Sequence, residues 1–411
     1  MQTKHAPPLR FPGFSEDWRE VRLGDISEKV GSGSTPRGGE RTYQPSGILF
    51  IRSQNVNDDE LKLDDIVFIS EQVNQQMRGS VVQANDILLN ITGASIGRSC
   101  VVPDPFEGGN VNQHVCIVRL SGENDPRFLQ AFLSSSKGHK LITKGQTGSG
   151  REGLNFQSIR SFQIAMPNIT EQQKIAAFLS AVNEKIGHLT TKKKLLLEYK
   201  KGVMQQVFDQ KIRFKDDNGN DFPDWESTEL NQISQRVKQK NRSNEITLVL
   251  TNSATMGIVS QSDYFDKDIA NPNNLSGYYV VDTDDFVYNP RISTAAPVGP
   301  IKRNTGAKGV MSPLYIVFRL RDVNFDFFEY LFETSIWHDH MRSIANFGVR
   351  HDRMNITTEG FFEMPVLVPS LGEQEKISSF LRALDNKIDV VDQQLEGTKS
   401  FKNGLLQQMF V

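Results

Sequence analysis

From Glu171 to Phe208, the apolar residues Ile175, Leu179, Val182, Ile186, Leu189, Leu196, Val203 and Val207 fall on alternating steps of four and three. That spacing is the seam of a coiled-coil helix. Lys193 and Lys200 fill the two gaps in the seam. The pattern returns at Ile377, Leu381, Leu384, Ile388, Val391, Leu405 and Met409, with Leu395 and Lys402 where the first copy has its lysines and Thr398 in line. A continuous helix over 171–208 would span about 57 Å, and an apolar stripe on one side must pack against something. The second copy is the natural partner, in an antiparallel pair with an approximate two-fold axis. Charge agrees: the first stretch is lysine-rich and the second slightly acidic, which favours pairing with each other over self-pairing.

The rest of the chain repeats too. Residues 8–27 (PLRFPGFSEDWREVRLGDIS) share their order of features with 211–234, with Arg10-Phe11, Trp18, Leu23 and Ile26 matching Arg213-Phe214, Trp225, Leu230 and Ile233. A tryptophan before a short amphipathic helix is a core anchor, and its recurrence marks two domain starts. Between each start and its long helix lie short β-like runs broken by Gly, Asn, Pro and Asp. In the first half the predicted strands are 48–51, 66–69, 86–89, 100–102 and 115–118, with helices near 126–135 and 156–162. In the second they are 246–250, 278–281, 286–288 and 315–318, with one longer helix over 325–344. Asp86, Gly97, Arg119, Asn155 and Pro167 pair with Asp285, Gly299, Arg319, Asn355 and Pro369. The expected fold is α+β: two mixed α/β domains in tandem, each followed by a long helix. The boundaries are 1–170 and 210–370 for the domains, and 171–209 and 371–411 for helices that pair as an antiparallel coiled coil. A shared framework with divergent interiors suggests one fold reading two targets.

With 411 residues, 23% charged and 37% hydrophobic, the composition is that of a soluble globular protein. No run approaches the roughly 18 apolar residues of a membrane span, and MQTKHAPPLRF lacks the apolar core of a signal peptide. A cytoplasmic location is expected. Cys100 and Cys116 sit in apolar strand-like runs and read as buried free thiols. A net charge of −2 does not announce a nucleic-acid binder unless basic residues gather on one face.

Each helix opens with P-x-x-x-E-Q-x-K-I-x-x-F-L, at Pro167 to Leu179 and again at Pro369 to Leu381, and each closes on similar runs, GVMQQVF and GLLQQMF. With LRFPGF…DWREVRLGDIS at the start, the whole chain resembles the specificity subunits of type I DNA restriction-modification systems. The resemblance implies that each globular domain is a target-recognition domain reading one half of a bipartite site in double-stranded DNA. It also implies that the helices set the spacing and dock two modification (methyltransferase) subunits, and that restriction subunits complete the nuclease. It implies no catalysis and no cofactor in this chain, with S-adenosylmethionine, ATP and Mg carried by the partner subunits.

A search for catalytic chemistry agrees with that expectation. The nearest approach to the Asn/Asp-Pro-Pro-aromatic motif of adenine methyltransferases is Asn289-Pro290-Arg291-Ile292, which lacks the second proline and the aromatic residue. There is no phosphate loop and no H-E-x-x-H motif. His338-Asp339-His340 is metal-like at first sight, but histidines at i and i+2 of a helix point apart, so a solvated helical surface is expected there. DNA reading needs Lys, Arg and hydroxyls for phosphates, and Arg, Asn, Gln and Ser/Thr for base edges. In the first domain the candidates are Ser34, Thr35, Arg37, Arg52, Asn55, Asn90, Thr92, Arg98, Gln113, His114, Lys144, Gln146, Arg151 and Asn155, with a Gly-rich stretch, Gly145 to Gly153, composed like a loop that orders on DNA. In the second they are Asn252, Asn289, Arg291, Ser293, Thr294, Arg303, Arg350, Arg353 and Asn355. Each alone is also compatible with a capped turn or a solvated loop. Lys200 and Lys402, at equivalent seam positions, read as marks of register or of partner docking. The alternative function is a two-module adaptor on a coiled-coil strut that binds protein or polysaccharide; a free-standing methyltransferase or nuclease is disfavoured by the missing motifs.

Overall fold

The computed structural model describes residues 6–57, 59–147, 153–264, 275–346 and 352–411. The chain forms two compact units, one from residues 1–192 and 391–411, the other from 193–390. Each unit therefore holds one globule and half of each long helix.

The long helices run over Ile169–Phe208 and Leu371–Gln408. In the first unit, Ile175, Leu179 and Val182 share a core with Leu405, Leu406, Met409 and Phe410, and Phe178 packs edge-on with Phe11 at 5.5 Å and with Phe401 at 6.5 Å between ring centres. In the second, Val207 and Phe208 share a core with Ile377, Leu381 and Leu384, and Lys200 meets Asp385 at 2.7 Å. In both units the start of one helix lies beside the end of the other, so the pair is antiparallel. Ile186, Leu196 and Val203 are half-buried; Leu189, Ile388, Val391, Leu395 and the other seam residues are buried.

In the first globule a four-stranded antiparallel sheet takes the order Ser27–Ser32, Val115–Leu120, Ile87–Asn90, Ser99–Val101. The second globule repeats it as Ser234–Arg236, Ile316–Leu320, Phe286–Tyr288, Ile301–Arg303. A two-stranded ribbon closes each globule, Arg19–Arg22 on Gln163–Met166 and Glu226–Glu229 on Pro365–Val368, tying the domain start to the residues just before its helix. The remaining strands differ. The first globule adds a four-stranded sheet in which Gly109–Val111 runs parallel to Ile48–Ile51. The second has Tyr279–Val281 paired with Gly309–Met311, and a hairpin of Leu250–Ser253 with Gly257–Ser260.

The repeated helix-opening motif is framework. Glu171 accepts Arg10 Nε and Nη2 at 2.6 and 2.7 Å, and Glu373 accepts Arg213 at 3.1 and 2.7 Å and Trp225 Nε1 at 3.1 Å. The adjacent glutamine bridges two elements: Gln172 donates to Pro167 O and accepts from Asp125 N, the residue capping helix Pro126–Ser134. Gln374 does the same with Pro369 O and Asn324 N, at the cap of helix Phe325–Glu333. Phe178 and Phe380 each lie 5.5 Å from the phenylalanine of their Arg-Phe dipeptide, Phe11 and Phe214. Arg119 and Arg319 clamp the buried Asp86 and Asp285.

Several elements depart from the sequence expectations. The helix expected over 325–344 is two, Phe325–Glu333 and His338–Ile344. The break is at Thr334, whose extended backbone and hydroxyl, bonded to Leu331 O at 2.7 Å, end the first helix. Ser135 breaks the equivalent place in the first globule, and helix Ser136–Gly145 follows it, a polar Ser-Ser-Lys-Gly stretch with no apolar periodicity to announce it. The strand expected over 246–250 begins only at Leu250, because the Asn241 side chain takes both backbone groups of Ile246 and removes them from a ladder. The counterpart of Asn155, which caps helix Phe156–Arg160, is Thr357 and not Asn355. Both cysteines are buried and free, and burial pushes their thiols up, Cys116 to about 12. No helix among the described residues is long and apolar enough to cross a membrane.

Candidate nucleic-acid interface

In both globules a buried asparagine, the last residue of strand Ile87–Asn90 or the first after strand Phe286–Tyr288, anchors the loop behind it. Asn90 Nδ2 donates to Ser53 O at 2.8 Å, and Asn289 Nδ2 to Asn252 O at 2.9 Å. Asn252 in turn donates to Val287 O and Pro300 O, and Asn55 to Lys62 O and Asp65 O. These four candidates, Asn55, Asn90, Asn252 and Asn289, are buried with their amides committed to main-chain carbonyls. They build loops and present no donor to a base. Asn and Gln suit carbonyl locking and base reading equally well, and burial is what sorts them.

Beyond Asn90 the chain makes a loop with Gly93 and Gly97 at positive φ, and beyond Asn289 a loop closed by Gly299 at φ +82°. A Cβ at Gly299 would lie 2.1 Å from Asn289 O, so the turn admits only glycine. A short segment lies against each loop. Leu154 N donates to Ile91 O at 2.9 Å and Gly153 bridges Thr92; Met354 N donates to Pro290 O at 2.8 Å, and Arg353 stands directly opposite Arg291.

The first globule thus gathers Thr92, Arg98 and His114 with Ser53, Gln54 and Ser95 around a groove of about 890 Å³. Ser95 lines it without having been singled out in the sequence; its signal was its place between two turn glycines. Gln113 and Thr35, both exposed, are tied to this surface, since Thr35 Oγ1 donates to Gln113 Oε1 and Gln113 Nε2 lies 2.9 Å from His114 Nε2. Ser34, Arg37, Arg98 and Lys144 are exposed and Gln146 is half-buried. Arg52 is turned inward to Asp65 at 3.2 Å, with its guanidinium 5.8 Å from the Tyr43 ring centre. Asn155 uses its side chain to accept from Ser158 N. In the second globule Arg291, Ser293 and Thr294 are exposed on one turn, and Arg353 is half-buried beside them. Asn355 is exposed, its carbonyl accepting from Asn346 N at 2.9 Å. Arg151, Arg350 and most of the Gly145 to Gly153 stretch lie outside the described residues.

Two expectations are corrected and a third is narrowed. Arg303 is spent on Asp326 at 2.6 Å and Glu329 at 2.7 Å, in an acidic cluster where burial pushes the Glu329 carboxyl up. The histidines of His338-Asp339-His340 are half-buried and not solvated: one lies against Trp337, and the other meets Gly360 O at 2.9 Å. No cluster of metal-ligating side chains occurs among the described residues. Lys200 and Lys402 are not presented to a partner. Lys200 pairs with Asp385 at 2.7 Å and sits 4.9 Å from the Tyr330 ring centre, while Lys402 pairs with Asp59, which also accepts from Gln130 and Ser134. Each lysine fastens its long helix within its own unit.

The family described as the type I restriction modification DNA specificity domain matches residues 15–199 and 217–397. The EcoBI specificity subunit of Escherichia coli is 31% identical over 166 residues, 39% of this chain and 34% of that protein, so this match spans about a third of the relative's length. A putative type I specificity subunit, MjaX, of Methanocaldococcus jannaschii is 22% identical over 419 residues, covering 95% of this chain and 92% of that one. Among solved structures, the S subunit of a type I system from M. genitalium covers 99% of both chains with a TM-score of 0.59 and 14% identity, a likeness of fold. With both of its matched stretches together spanning most of the sequence, the chain belongs to the type I restriction-modification DNA specificity family.

Proposed function

We propose that the chain is the non-catalytic DNA-recognition subunit of a type I restriction-modification complex, each globule reading one half of a bipartite site in double-stranded DNA. The observation that carries this reading is the contrast between the two globules. Their buried clamps, Arg-Glu, Gln-Pro, Arg-Asp and the loop-anchoring Asn, coincide, while the loops resting on that framework carry different polar side chains. One scaffold with two reading surfaces suits a split target of unlike halves. The paired helices set the spacing, near one turn of DNA, or about 34 to 36 Å between half-site centres. In this reading they also dock two modification subunits, which restriction subunits join, and S-adenosylmethionine, ATP and Mg belong to those partners. The complex works on DNA in the cytoplasm.

The chain assembled with its methyltransferase partner is expected to methylate one bipartite sequence, mapped by locating methylated adenines across a host genome. Methylation of a single continuous site, or equal binding to all DNA at moderate salt, contradicts the proposal and favours the adaptor reading.

Arg291 and Arg353 supply a second expectation. Like charges directly opposite each other repel, and Arg353 has only the exposed Asp352 carboxylate at 3.4 Å as counter-charge, its buried Nε lacking a hydrogen-bond partner. A DNA phosphate between the two guanidiniums adds the second anion that two arginines and one carboxylate lack. Arg291→Ala is expected to weaken DNA binding by the assembled complex evenly across sequences and to reduce the slope of log K against log salt by about 1. Titrations at several salt concentrations check it, and an unchanged slope removes Arg291 from the phosphate contacts.

A further inference from the structure

We infer that Gln113 is the residue by which the first globule reads an adenine, an inference that rests on the DNA-recognition reading above. Gln113 is exposed, yet its amide is held in one orientation by residues from separate parts of the chain. Thr35 Oγ1–H donates to Gln113 Oε1, which fixes the oxygen end. Gln113 Nε2 then faces His114 Nε2 at 2.9 Å and donates to it. His114 accepts at that nitrogen, so its proton sits on Nδ1, from which it donates to Thr92 Oγ1. The relay has one direction, Thr35 to Gln113 to His114 to Thr92. It rests on a fixed turn: His114 N donates to Asn112 Oδ1 at 3.0 Å, and Ile91 N donates to His114 O at 3.0 Å.

Each internal bond leaves Gln113 with one function to spare on each end. One Oε1 lone pair and one Nε2 proton remain for a ligand. An adenine edge in the major groove asks for that combination, because its N6 amino group donates and its N7 accepts. Guanine presents two acceptors there and cytosine a donor alone, so neither satisfies both ends of the amide. Holding a flexible side chain in its binding orientation beforehand removes an entropic cost that a free surface glutamine would meet on binding. Thr35 and His114 are accordingly positioning residues, and Gln113 is the reader.

The second globule has the same turn without the reader. Tyr315 N donates to Ser312 O at 3.1 Å, as Val115 N does to Asn112 O at 3.4 Å, but the intervening residues are Pro313 and Leu314. That turn offers DNA an apolar surface and no amide. The two half-sites therefore differ at the base pair under this turn.

The test uses the chain assembled with its methyltransferase partner and compares methylated sequences for the unaltered chain, Gln113→Ala, Gln113→Glu and Thr35→Val. Gln113→Ala is expected to lower the preference for adenine at one position of one half-site by roughly 10- to 100-fold, leaving the other half-site unchanged. Gln113→Glu replaces the amide donor with an acceptor and is expected to move that preference toward cytosine, whose N4 donates. Thr35→Val is expected to relax the same position without moving it. If the unaltered chain directs bipartite methylation while Gln113→Ala and Gln113→Glu keep its sequence, or change both half-sites together, the assignment of Gln113 is overturned. If the unaltered chain directs no bipartite methylation, the failure is that of the DNA reading itself.

Discussion

Glu373→Ala is expected to destabilise the second unit by about 3–5 kcal/mol, the range for removing one partner of a buried, hydrogen-bonded ion pair. The carboxylate is wholly buried and satisfies three donors, Arg213 Nε, Arg213 Nη2 and Trp225 Nε1. Losing it leaves a guanidinium that is only a quarter exposed with the fully exposed Asp224 as its one remaining carboxylate, at 3.2 Å, and an indole N–H without a partner inside the core. Arg213 also donates to the carbonyls of Phe222 and Pro223, so the turn that delivers Trp225 loosens with it. Glu171→Ala repeats the experiment in the first unit with one donor fewer, because Trp18 Nε1 has no hydrogen-bond partner there. Its cost should be smaller by about 1 kcal/mol, the net worth of one hydrogen bond. Denaturant unfolding of the two variants checks both the size and the order. Losses below about 1 kcal/mol in both would make the repeated Glu a surface feature, and Arg-Phe with E-Q would then not be the joint between domain start and helix.

How far the fold could be read from the sequence follows from the range of each interaction. The seam was legible because a heptad is written in consecutive residues, and its second copy made antiparallel pairing the economical answer. The Glu171 to Arg10 clamp, spanning 161 residues, left only an indirect trace, the recurrence of Arg-Phe and Glu-Gln in matched order. What the sequence hid was burial. Asn90 and Gln113 have interchangeable chemistry on paper, yet one is locked onto Ser53 O inside the globule and the other stands on its surface. Arg303 and Arg291 divide in the same way, one absorbed by Asp326 and Glu329, the other left on an exposed turn. Lys200 and Lys402 looked like interruptions in the seam, whereas the acids that meet them come from elements no local pattern connects to a heptad. Thr334 shows the reverse error: the apolar pattern continued across it, and a single hydroxyl bond ended the helix.

Ending the chain after Gly404 is expected to unfold the first globule and spare the second, although the first globule's strands lie far upstream in sequence. Leu405, Leu406, Met409 and Phe410 belong to the first unit's core, with the Phe410 ring centre 5.4 Å from that of Phe128 and 5.8 Å from that of Phe132. Leu9 N, near the domain start, donates to Gln408 O at 3.0 Å. Burying four such side chains contributes about 6–12 kcal/mol at 1.5–3 kcal/mol each, comparable with the whole stability of a domain, about 5–15 kcal/mol. The second globule takes the equivalent residues, Val203 to Phe208, from the end of the central helix, which the truncation leaves in place. Amide exchange should therefore lose protection in Ile87–Asn90 and Val115–Leu120 while Phe286–Tyr288 and Ile316–Leu320 keep theirs. Phe410→Ala should give a graded version, about 3–5 kcal/mol in the first unit alone. Equal loss in both units, or none in either, would mean that the helix ends do not belong to the globules they touch. Selective loss would make the first globule's fold conditional on a helix that enters from the other end of the repeat, so that its reading surface forms only once the helix pair has closed.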